Sequence, residues 1–460
     1  MTTAAVHPTD LEPSLIAPRT YTTRRLRVRL DAAAVVSLMV FLLYALPATL
    51  IVPGLTFAGR PALIVGLVLF AWWVLARLSP WLLMVGPQPL RWACLFYLLA
   101  FMLSYLAGVL RGLPTLEANA QNFQLLITAE FLGVVLMAAD GIPNWQRLRG
   151  VLRVFVWSGG FMALVGIIQS VLAFDIAQYL TIPGLELKSD LADFQLRGDS
   201  GLFRVAGTAT HYIEFSTVMA MAVPFGLHFA RFAEHRATRY AFGCATLLMA
   251  GALPMAISRT GVVALAAALV VMFIAAWDWR MRYNMLFVGG AVISALVILR
   301  PGLLGTLKAM FLWAGEDPSI EGRTQDYDHV AAWFSQRPWL GRGPGTLIPD
   351  LYIILDNQWL MTLITGGLVG VFALAAFHIT CISLATVALR RTDRVEDRHL
   401  CAALISAQVV AVLVGLTFDS FSFTTFSFTL ALLSGLCGAV WRFTHPARTV
   451  RTSTVNRLGG

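Results

Sequence analysis

Twelve long apolar segments recur along the chain, with short polar joints between them. Each is close to the roughly 20 residues that a helix needs to cross the hydrocarbon core of a membrane. A backbone in lipid must satisfy its own hydrogen bonds, and the segments lack the alternating pattern of a barrel strand, so they predict helices. The sequence therefore predicts an all-α fold, a polytopic membrane bundle of about 12 transmembrane helices.

The predicted bundle occupies residues 31–443, between a basic tail at residues 1–30 and a second tail at residues 444–460. Composition supports the membrane setting, because 58% of the residues are hydrophobic and only 13% are charged, with a mean hydropathy of +0.73. The core of a soluble domain does not require so large a share of apolar residues. The twelve predicted spans are 32–53, 61–79, 90–110, 121–139, 150–174, 209–230, 239–257, 260–277, 282–300, 357–389, 399–418 and 422–443.

Most of the Lys and Arg residues lie in alternate joints, on the side shared by the two tails. The positive-inside rule assigns that side to the cytoplasm, so we predict an inner-membrane protein with both termini cytoplasmic. The net charge of +9 is spread over many short joints, which fits anionic lipid better than nucleic acid. No nucleic-acid partner is expected. The sequence contains no metal-ligand spacing and no phosphate loop, so neither a metal nor a cofactor is predicted.

Two joints on the opposite side are long, at residues 173–207 and 301–355. Long external loops are usually functional. The second loop contains two stretches, 303–311 and 327–334, whose apolar residues recur at helical spacing. We predict that both lie along the outer membrane interface, where they either cap the bundle or cover a site.

Arginines in these outward segments are the main candidates for a binding site. Arg204 precedes the sixth span, Arg259 lies in a short turn between two spans, and Arg323 precedes the second amphipathic stretch. Three guanidinium groups converging under a lid would bind a diphosphate, because Arg is always charged and binds phosphate oxygens bidentately. The structural alternative is snorkelling at the interface, and for Arg342 that alternative is the preferred one.

Four segments follow one another in an order that is typical of a known family: 203–224, 258–261, 322–345 and 356–370. They contain an Arg-x-x-Gly before a span, a Ser-Arg-Thr turn, a Gly-Arg-Gly-Pro-Gly loop and an Asp-Asn before a Gly-rich helix. In these features the chain resembles the O-antigen ligase and O-antigen polymerase superfamily. The first five spans resemble that superfamily only in hydropathy.

The resemblance implies a membrane glycosyltransferase that works without a metal. Its donor would be an oligosaccharide linked to a polyprenyl diphosphate on the outer leaflet, and its second substrate a glycan acceptor with a free hydroxyl. Carried over by position, Arg204, Arg259 and Arg323 would bind the diphosphate, with Arg342 and Asn357 as weaker candidates. The lipid bilayer and other polysaccharide assembly proteins are the remaining expected partners.

Asp356 stands where ligases of this superfamily typically have the histidine proposed to activate the acceptor. An Asp-Asn pair is closer to polymerases and exopolysaccharide enzymes, and a carboxylate can also accept a hydroxyl proton. The structural alternative for Asp356 and Asn357 is a helix N-cap, a position that Asp and Asn favour. Both readings stay open from the sequence.

His211 and Glu214 are further candidates for acid–base chemistry, three residues apart near the start of the sixth span. A carboxylate in a span is costly and normally faces a cavity or a partner. Neutralising a neighbouring arginine explains Glu214 equally well, and a histidine at a span entrance is often structural.

Two other classes of protein are compatible with twelve spans. A transporter or flippase of lipid-linked sugars would show two matching halves and polar residues at the midplane, whereas here the polar residues cluster at one face. A scaffold without activity would leave the arginines unexplained. Ligase and polymerase share donor and chemistry, so the sequence does not separate them, and it does not identify the sugar.

Overall fold

The computed structural model describes residues 31–55, 59–78, 86–180, 182–188, 204–276, 279–299, 318–349 and 351–446, together with Gly302, Gly305 and Lys308. Within these residues the chain is 77% helical and forms 13 α-helices. The predicted N-terminal tail and most of the stretch 303–311 lie outside the described residues.

The helices are named in chain order. They are α1 (Ala32–Ala45), α2 (Pro61–Arg77), α3 (Pro89–Leu110), α4 (Thr115–Gly141), α5 (Trp145–Leu172), α6 (Tyr212–Phe232), α7 (Arg236–Ala252), α8 (Arg259–Ala275), α9 (Trp279–Leu299), α10 (Pro318–Gln336), α11 (Gln358–Arg391), α12 (Val395–Val414) and α13 (Thr424–Phe443). Short 3₁₀ turns occupy Ile176–Tyr179, Leu253–Ala256 and Ser420–Ser422. Two short strands, β1 (Leu50–Ile51) and β2 (Glu186–Leu187), pair antiparallel.

Each of the twelve predicted spans overlaps one helix, and α10 is the helix predicted for the second amphipathic stretch. In the described part of the chain, seven helices are long and apolar enough to cross a membrane: α3, α4, α5, α6, α11, α12 and α13. Three further apolar helices, α1, α2 and α8, are shorter. A multi-pass helical membrane protein is therefore confirmed, whereas the count of about 12 spans and the orientation stay predictions.

The first predicted span, 32–53, is wrong at its end. Helix α1 ends at Ala45, and Leu46 is extended, with φ −94° and ψ 139°. Leu46 precedes Pro47, and a residue before proline is pushed out of the helical region. The chain then continues into β1, which pairs with β2 in the loop after α5.

The bundle packs around α13, which is buried along almost its whole length. Helices α4, α11 and α12 pack against it, and α6 contacts it near its start. Small residues allow this close approach. A Cβ added at Gly435 of α13 would lie 2.5 Å from the Val135 carbonyl oxygen of α4. Close backbone contact of this kind is typical of helices that associate in membranes.

Helices α6, α8, α11 and α13 all begin at one end of the bundle, which we call the site end. The opposite end is held by ion pairs between helices: Arg77 and Arg91 with Asp140, Arg147 with Asp31, and Arg149 with Asp397. Asp140 is fully buried and accepts from both of its arginines, at 3.0 Å and 2.8 Å. These pairs neutralise part of the basic charge that the sequence places at this end.

Candidate functional site

Helix α6 begins at the site end with His211 as its N-cap. The His211 Nδ1 atom accepts a hydrogen bond from the Ile213 N–H at 3.2 Å, so this nitrogen is the unprotonated one. The ring also packs against Tyr212 and Phe423, with centroids 4.0 Å and 5.4 Å away. His211 thus contacts the turn that leads into α13, and its predicted acid–base role stays a prediction.

Glu214 is fully buried one turn further into α6, and both of its carboxylate oxygens accept hydrogen bonds. Oε2 accepts from the Thr210 N–H at 3.0 Å and from the Thr210 hydroxyl at 2.8 Å. Oε1 accepts from the N–H groups of Thr425 and Phe426 in the first turn of α13. The carboxylate therefore caps α13, where the helix dipole favours a negative charge.

Arg60 is a buried cation that binds the same helix start as this carboxylate. Its guanidinium donates to the hydroxyls of Thr424 and Thr425, at 2.9 Å and 2.8 Å, and to the Leu43 carbonyl. It interacts electrostatically with Glu214. These contacts match the structural alternative for Glu214, neutralisation of a neighbouring arginine, although the arginine comes from the start of α2. No sequence pattern near Arg60 indicated this pairing.

Arg204 lies just before α6 and rests on the ring of Tyr212. Its guanidinium carbon is 4.5 Å from the ring centroid, and Nη1 donates to the Tyr212 hydroxyl. A cation–π contact holds the guanidinium in place without neutralising it. Among the described residues no carboxylate forms an ion pair with Arg204 within 4 Å.

Arg259 is the first residue of α8, directly after the N-cap Ser258, whose hydroxyl accepts from the Gly261 N–H at 3.3 Å. A Cβ at Gly261 would lie 2.3 Å from the Ser216 Cβ, so only glycine permits this contact between α8 and α6. The start of α8 is thereby pressed against the first turns of α6. Arg259 and Arg204 consequently lie at the starts of two helices that pack together.

Asp356 and Asn357 precede α11, and the structure divides their roles. Asn357 is the N-cap, because its Oδ1 accepts from the N–H groups of Trp359 and Leu360, at 3.0 Å and 3.1 Å. Its Nδ2 donates to the Leu416 carbonyl at 3.2 Å. Asp356 is therefore not the cap of α11, and Asn357 is engaged in structural contacts. Their predicted roles toward substrate stay predictions.

The start of α11 docks onto the loop between α12 and α13. The Gln358 N–H donates to the carbonyls of Gly415 and Phe418, and Gln358 Oε1 accepts from the Phe421 N–H at 2.8 Å. This docking brings Asp356 close enough to Asp419 for the two carboxylates to interact electrostatically. The loop leads to Phe423, which contacts His211, so the starts of α6 and α11 meet across it.

Asp419 lies outside the helices, and its pKa is raised to about 6. Burial of the carboxyl is the largest cause, and the negative charge of Asp356 adds to it, while a hydrogen bond from Ser422 opposes both. A carboxyl whose pKa is raised to this range can exchange a proton near neutral pH. Sequence reasoning left Asp419 out of the site, because its neighbour Asp356 is distant in the chain.

We expect the pH dependence of stability to report the Asp419 carboxyl. The pKa of Asp419 in the folded protein is above its ordinary value of 3.8. The stability that this carboxyl contributes is therefore fully present below about pH 4 and is lost as pH rises through about 6. Asp419→Asn removes the titrating carboxyl, and with it this loss of stability at higher pH. The variant should therefore gain thermal stability relative to wild type as pH rises from 4 to 7, measured by unfolding in detergent.

The matched control is Asp393→Asn, which changes an exposed aspartate at the opposite end of the bundle. Its stability difference from wild type should not vary across the same pH range. If the stability difference between Asp419→Asn and wild type is also independent of pH, the raised pKa of Asp419 is refuted.

Arg323 and Arg342 belong to the long loop between α9 and α11. Arg323 lies in α10, which packs on α11. Arg342 pairs with Glu117 of α4 at 3.6 Å, and its guanidinium carbon lies 4.5 Å from the centroid of the Tyr352 ring. Glu117 also pairs with Arg111. An ion pair and aromatic contacts therefore hold Arg342, in addition to any contact that it makes with the membrane interface.

The loop that carries Arg342 is fixed by a break in α11. Gly367 has φ 64° and ψ −165°, a backbone conformation that favours glycine. The N–H groups of Leu368 and Val369 donate to the carbonyls of Pro338 and Trp339 across this break. The N–H groups of Arg342 and Gly343 also donate to the carbonyls of Ile364 and Thr365, so the long loop between α9 and α11 is attached at this break in α11.

A cavity of about 530 Å³ is lined by α3, α4, α11 and the loop 344–349. Its walls are mainly apolar, and Gln358, Phe421 and Ser422 border it at the site end. Arg204, Arg259, His211 and Glu214 are not among its lining residues. Among the described residues no three His, Cys, Asp or Glu side chains are grouped as a metal site requires.

These features define the protein as a helical membrane protein with cationic and acidic groups gathered at one end of its bundle. Residues 244–375 match the family model for O-antigen ligase, which confirms the resemblance found in the sequence. The matched segment contains Arg259, Arg323, Arg342 and Asp356, whereas Arg204, His211 and Glu214 precede it. The family indicates glycan processing at a membrane, of the O-antigen ligase or polymerase type. No curated protein matches the chain.

Proposed function

We propose that the protein is an inner-membrane glycosyltransferase that transfers or polymerises a glycan carried by a polyprenyl diphosphate. The reaction takes place on the extracytoplasmic face, at the site end, and requires neither a metal nor a cofactor. The observation that carries the proposal is the pairing of two helix starts, in which Arg204 and Arg259 accompany α6 and α8. Helix N-termini favour anions, and guanidinium groups there favour a diphosphate.

In the proposed reaction an acceptor hydroxyl attacks the anomeric carbon of the donor sugar. The bond from this carbon to the diphosphate oxygen breaks, and its electron pair leaves with the diphosphate. Arg204, Arg259 and Arg323 bind the departing group and stabilise the charge that develops on it. Asp356 accepts the hydroxyl proton, with Asp419 as the neighbouring carboxylate.

The Asp356 assignment is tested by Asp356→Asn in purified protein supplied with a lipid-linked oligosaccharide. The change keeps the shape of the side chain and leaves the cap Asn357 in place, but it removes the base. Because general base catalysis contributes roughly 10²- to 10⁴-fold, we expect product formation to fall by at least ~100-fold. Elongation of the glycan on its lipid would indicate a polymerase, and transfer to an added second acceptor would indicate a ligase.

The matched control for this experiment is Asp393→Asn, which should retain wild-type product formation. Full activity of Asp356→Asn would overturn the assignment of the base. If wild-type protein only moves the lipid-linked sugar between leaflets, without forming a new bond, the protein is a flippase and the transferase proposal fails.

A further inference from the structure

Gln169 is a buried amide close to the end of α5, and it binds the segment that carries Arg204. Its Oε1 accepts a hydrogen bond from the Gly207 N–H at 2.8 Å, and its Nε2 donates to the Gly207 carbonyl at 2.9 Å. Nε2 also donates to the Asp175 carboxylate at 2.7 Å, which fixes the orientation of the amide. This set of hydrogen bonds requires a side chain that both accepts and donates, as an amide does and a carboxylate does not.

The bound segment is a turn that brings Arg204 back to Tyr212. The Ala209 N–H donates to the Ala206 carbonyl at 3.0 Å and closes the turn. Gly207 lies within it at φ 62°, a backbone conformation that favours glycine. Arg204 and Tyr212 flank the turn, eight residues apart, and contact each other through the hydroxyl and the ring of the tyrosine. The position of the Arg204 guanidinium therefore depends on the shape of this turn.

Two sides of the molecule hold this turn. On one side the Ala48 N–H donates to the Thr208 carbonyl at 2.8 Å, and the Thr208 hydroxyl donates to the Tyr44 carbonyl at 2.6 Å. On the other side Gln169 binds both backbone groups of Gly207, which is buried. Removal of the Gln169 amide would leave the contacts of Thr208 in place. The turn would then lose its hydrogen bonds to α5, and the guanidinium that it positions would shift with it.

We propose that Gln169 is a positioning residue for Arg204: its amide fixes the turn at Gly207 and so holds the Arg204 guanidinium where it binds the diphosphate of the donor. Gln169 acts through Arg204 and takes no part in the chemistry. It belongs to α5, outside the residues 244–375 that match the family model. This inference rests on the proposed function and refines it, because it identifies the residue that places one of the diphosphate-binding groups.

The variant that tests this role is Gln169→Met, in purified full-length protein reconstituted in nanodiscs. Methionine keeps the length of the side chain and its packing but cannot replace the hydrogen bonds of the amide. We expect kcat/KM for a lipid-linked oligosaccharide to fall by at least ~10-fold, because small misplacements of a binding group can cost up to ~100-fold. The loss should appear in the KM for the donor, whereas the KM for an added acceptor should stay at its wild-type value.

A double-mutant cycle separates positioning from a general effect on the fold. Arg204→Ala removes the guanidinium, and Gln169→Met is then introduced into that background. If Gln169 acts through Arg204, this second change should cost less than ~2-fold, because coupled residues do not contribute independently. An equal fold-loss in the two backgrounds would overturn the proposal, and so would wild-type kinetics of Gln169→Met alone.

The matched control is Gln408→Met, which removes another buried amide from the bundle. Gln408 lies in α12 and donates to the Ser434 hydroxyl of α13 at 2.9 Å, instead of to the turn. This control should lower the unfolding temperature but retain the wild-type KM for the donor. An equal rise in the donor KM of Gln408→Met would reveal a general effect of losing a buried amide and would overturn the positioning role.

A second variant applies if Gln169→Met does not fold. Asp175→Ala removes the acceptor of Gln169 Nε2 from the loop after α5 and leaves the bonds to Gly207 available. Its effect on the donor KM should be smaller than that of Gln169→Met, and it should vanish in the Arg204→Ala background. A loss that persists there would contradict the proposal.

Binding of farnesyl diphosphate, measured by calorimetry, distinguishes failure of this inference from failure of the proposed function. Glycan transfer that does not depend on Gln169 retains the transferase and removes the positioning role. If wild-type protein forms no product, the transferase proposal fails, and the same cycle is measured on the Kd for farnesyl diphosphate. A Kd weakened by Gln169→Met only when Arg204 is present then supports the positioning role, whereas equal weakening in both backgrounds, or no binding by wild type, overturns it.

Discussion

Replacing Arg259 with alanine should lower glycan transfer by at least ~100-fold while the protein remains inserted in the membrane. Removing one group that stabilises a developing negative charge typically costs 10²- to 10³-fold in rate. The contact between the start of α8 and α6 is made by Gly261 and Ser216. Removing the Arg259 side chain therefore leaves this contact intact. Product formation from a lipid-linked oligosaccharide, measured at equal protein levels, gives the result.

Arg236→Ala is a matched control for this variant. Arg236 is likewise the first residue of its helix, α7, but that helix begins at the opposite end of the bundle. The control should transfer glycan at the wild-type rate. Arg259→Lys should recover only part of the activity, because an ammonium lacks the bidentate geometry of a guanidinium. Wild-type turnover by Arg259→Ala would exclude Arg259 from diphosphate binding.

Glu214→Ala should cause the largest loss of stability, about 1–3 kcal/mol for each buried N–H group that it leaves without an acceptor. The change exposes the N–H groups of Thr425 and Phe426 to an empty site and deprives Arg60 of the nearby carboxylate. Glu214→Gln should lose less, since an amide oxygen can still accept from the start of α13. Thermal unfolding in detergent measures both variants.

The comparison for Glu214 is Glu234→Ala, which removes an exposed carboxylate after α6 and should leave the unfolding temperature near that of wild type. The result also decides between the two interpretations of Glu214. A Glu214→Ala protein with normal stability and no transfer activity would assign Glu214 to the chemistry instead of to the clamp between α6 and α13.

The helices were predictable because hydropathy is a local property, and each predicted span overlaps one helix. The end of α1 was missed although its cause, Pro47, is also local. The apolar run continues past the proline, so hydropathy alone did not reveal the break. The kink at Gly367 depends on a loop attached from outside the helix, and no local pattern indicates such an attachment.

The types of residue in the candidate site were predictable from the sequence, but the contacts between them were not. Arginines in turns between apolar segments stand out in a membrane protein, so Arg204 and Arg259 could be selected as candidates from the sequence. The partners of Glu214 in α13 are more than 200 residues away in the chain, and the carboxylate that pairs with Arg342 lies in α4. A single sequence does not contain the distances that bring such residues together.

The burial of α13 has a consequence for biogenesis. Ribosomes release the chain from its amino terminus, so α4, α6, α11 and α12 are synthesised before α13, against which they pack. Until then Glu214 Oε1 lacks the N–H groups of Thr425 and Phe426, and the Arg60 guanidinium lacks the hydroxyls of Thr424 and Thr425. The packing of these helices around α13 therefore forms only after α13 itself has been synthesised.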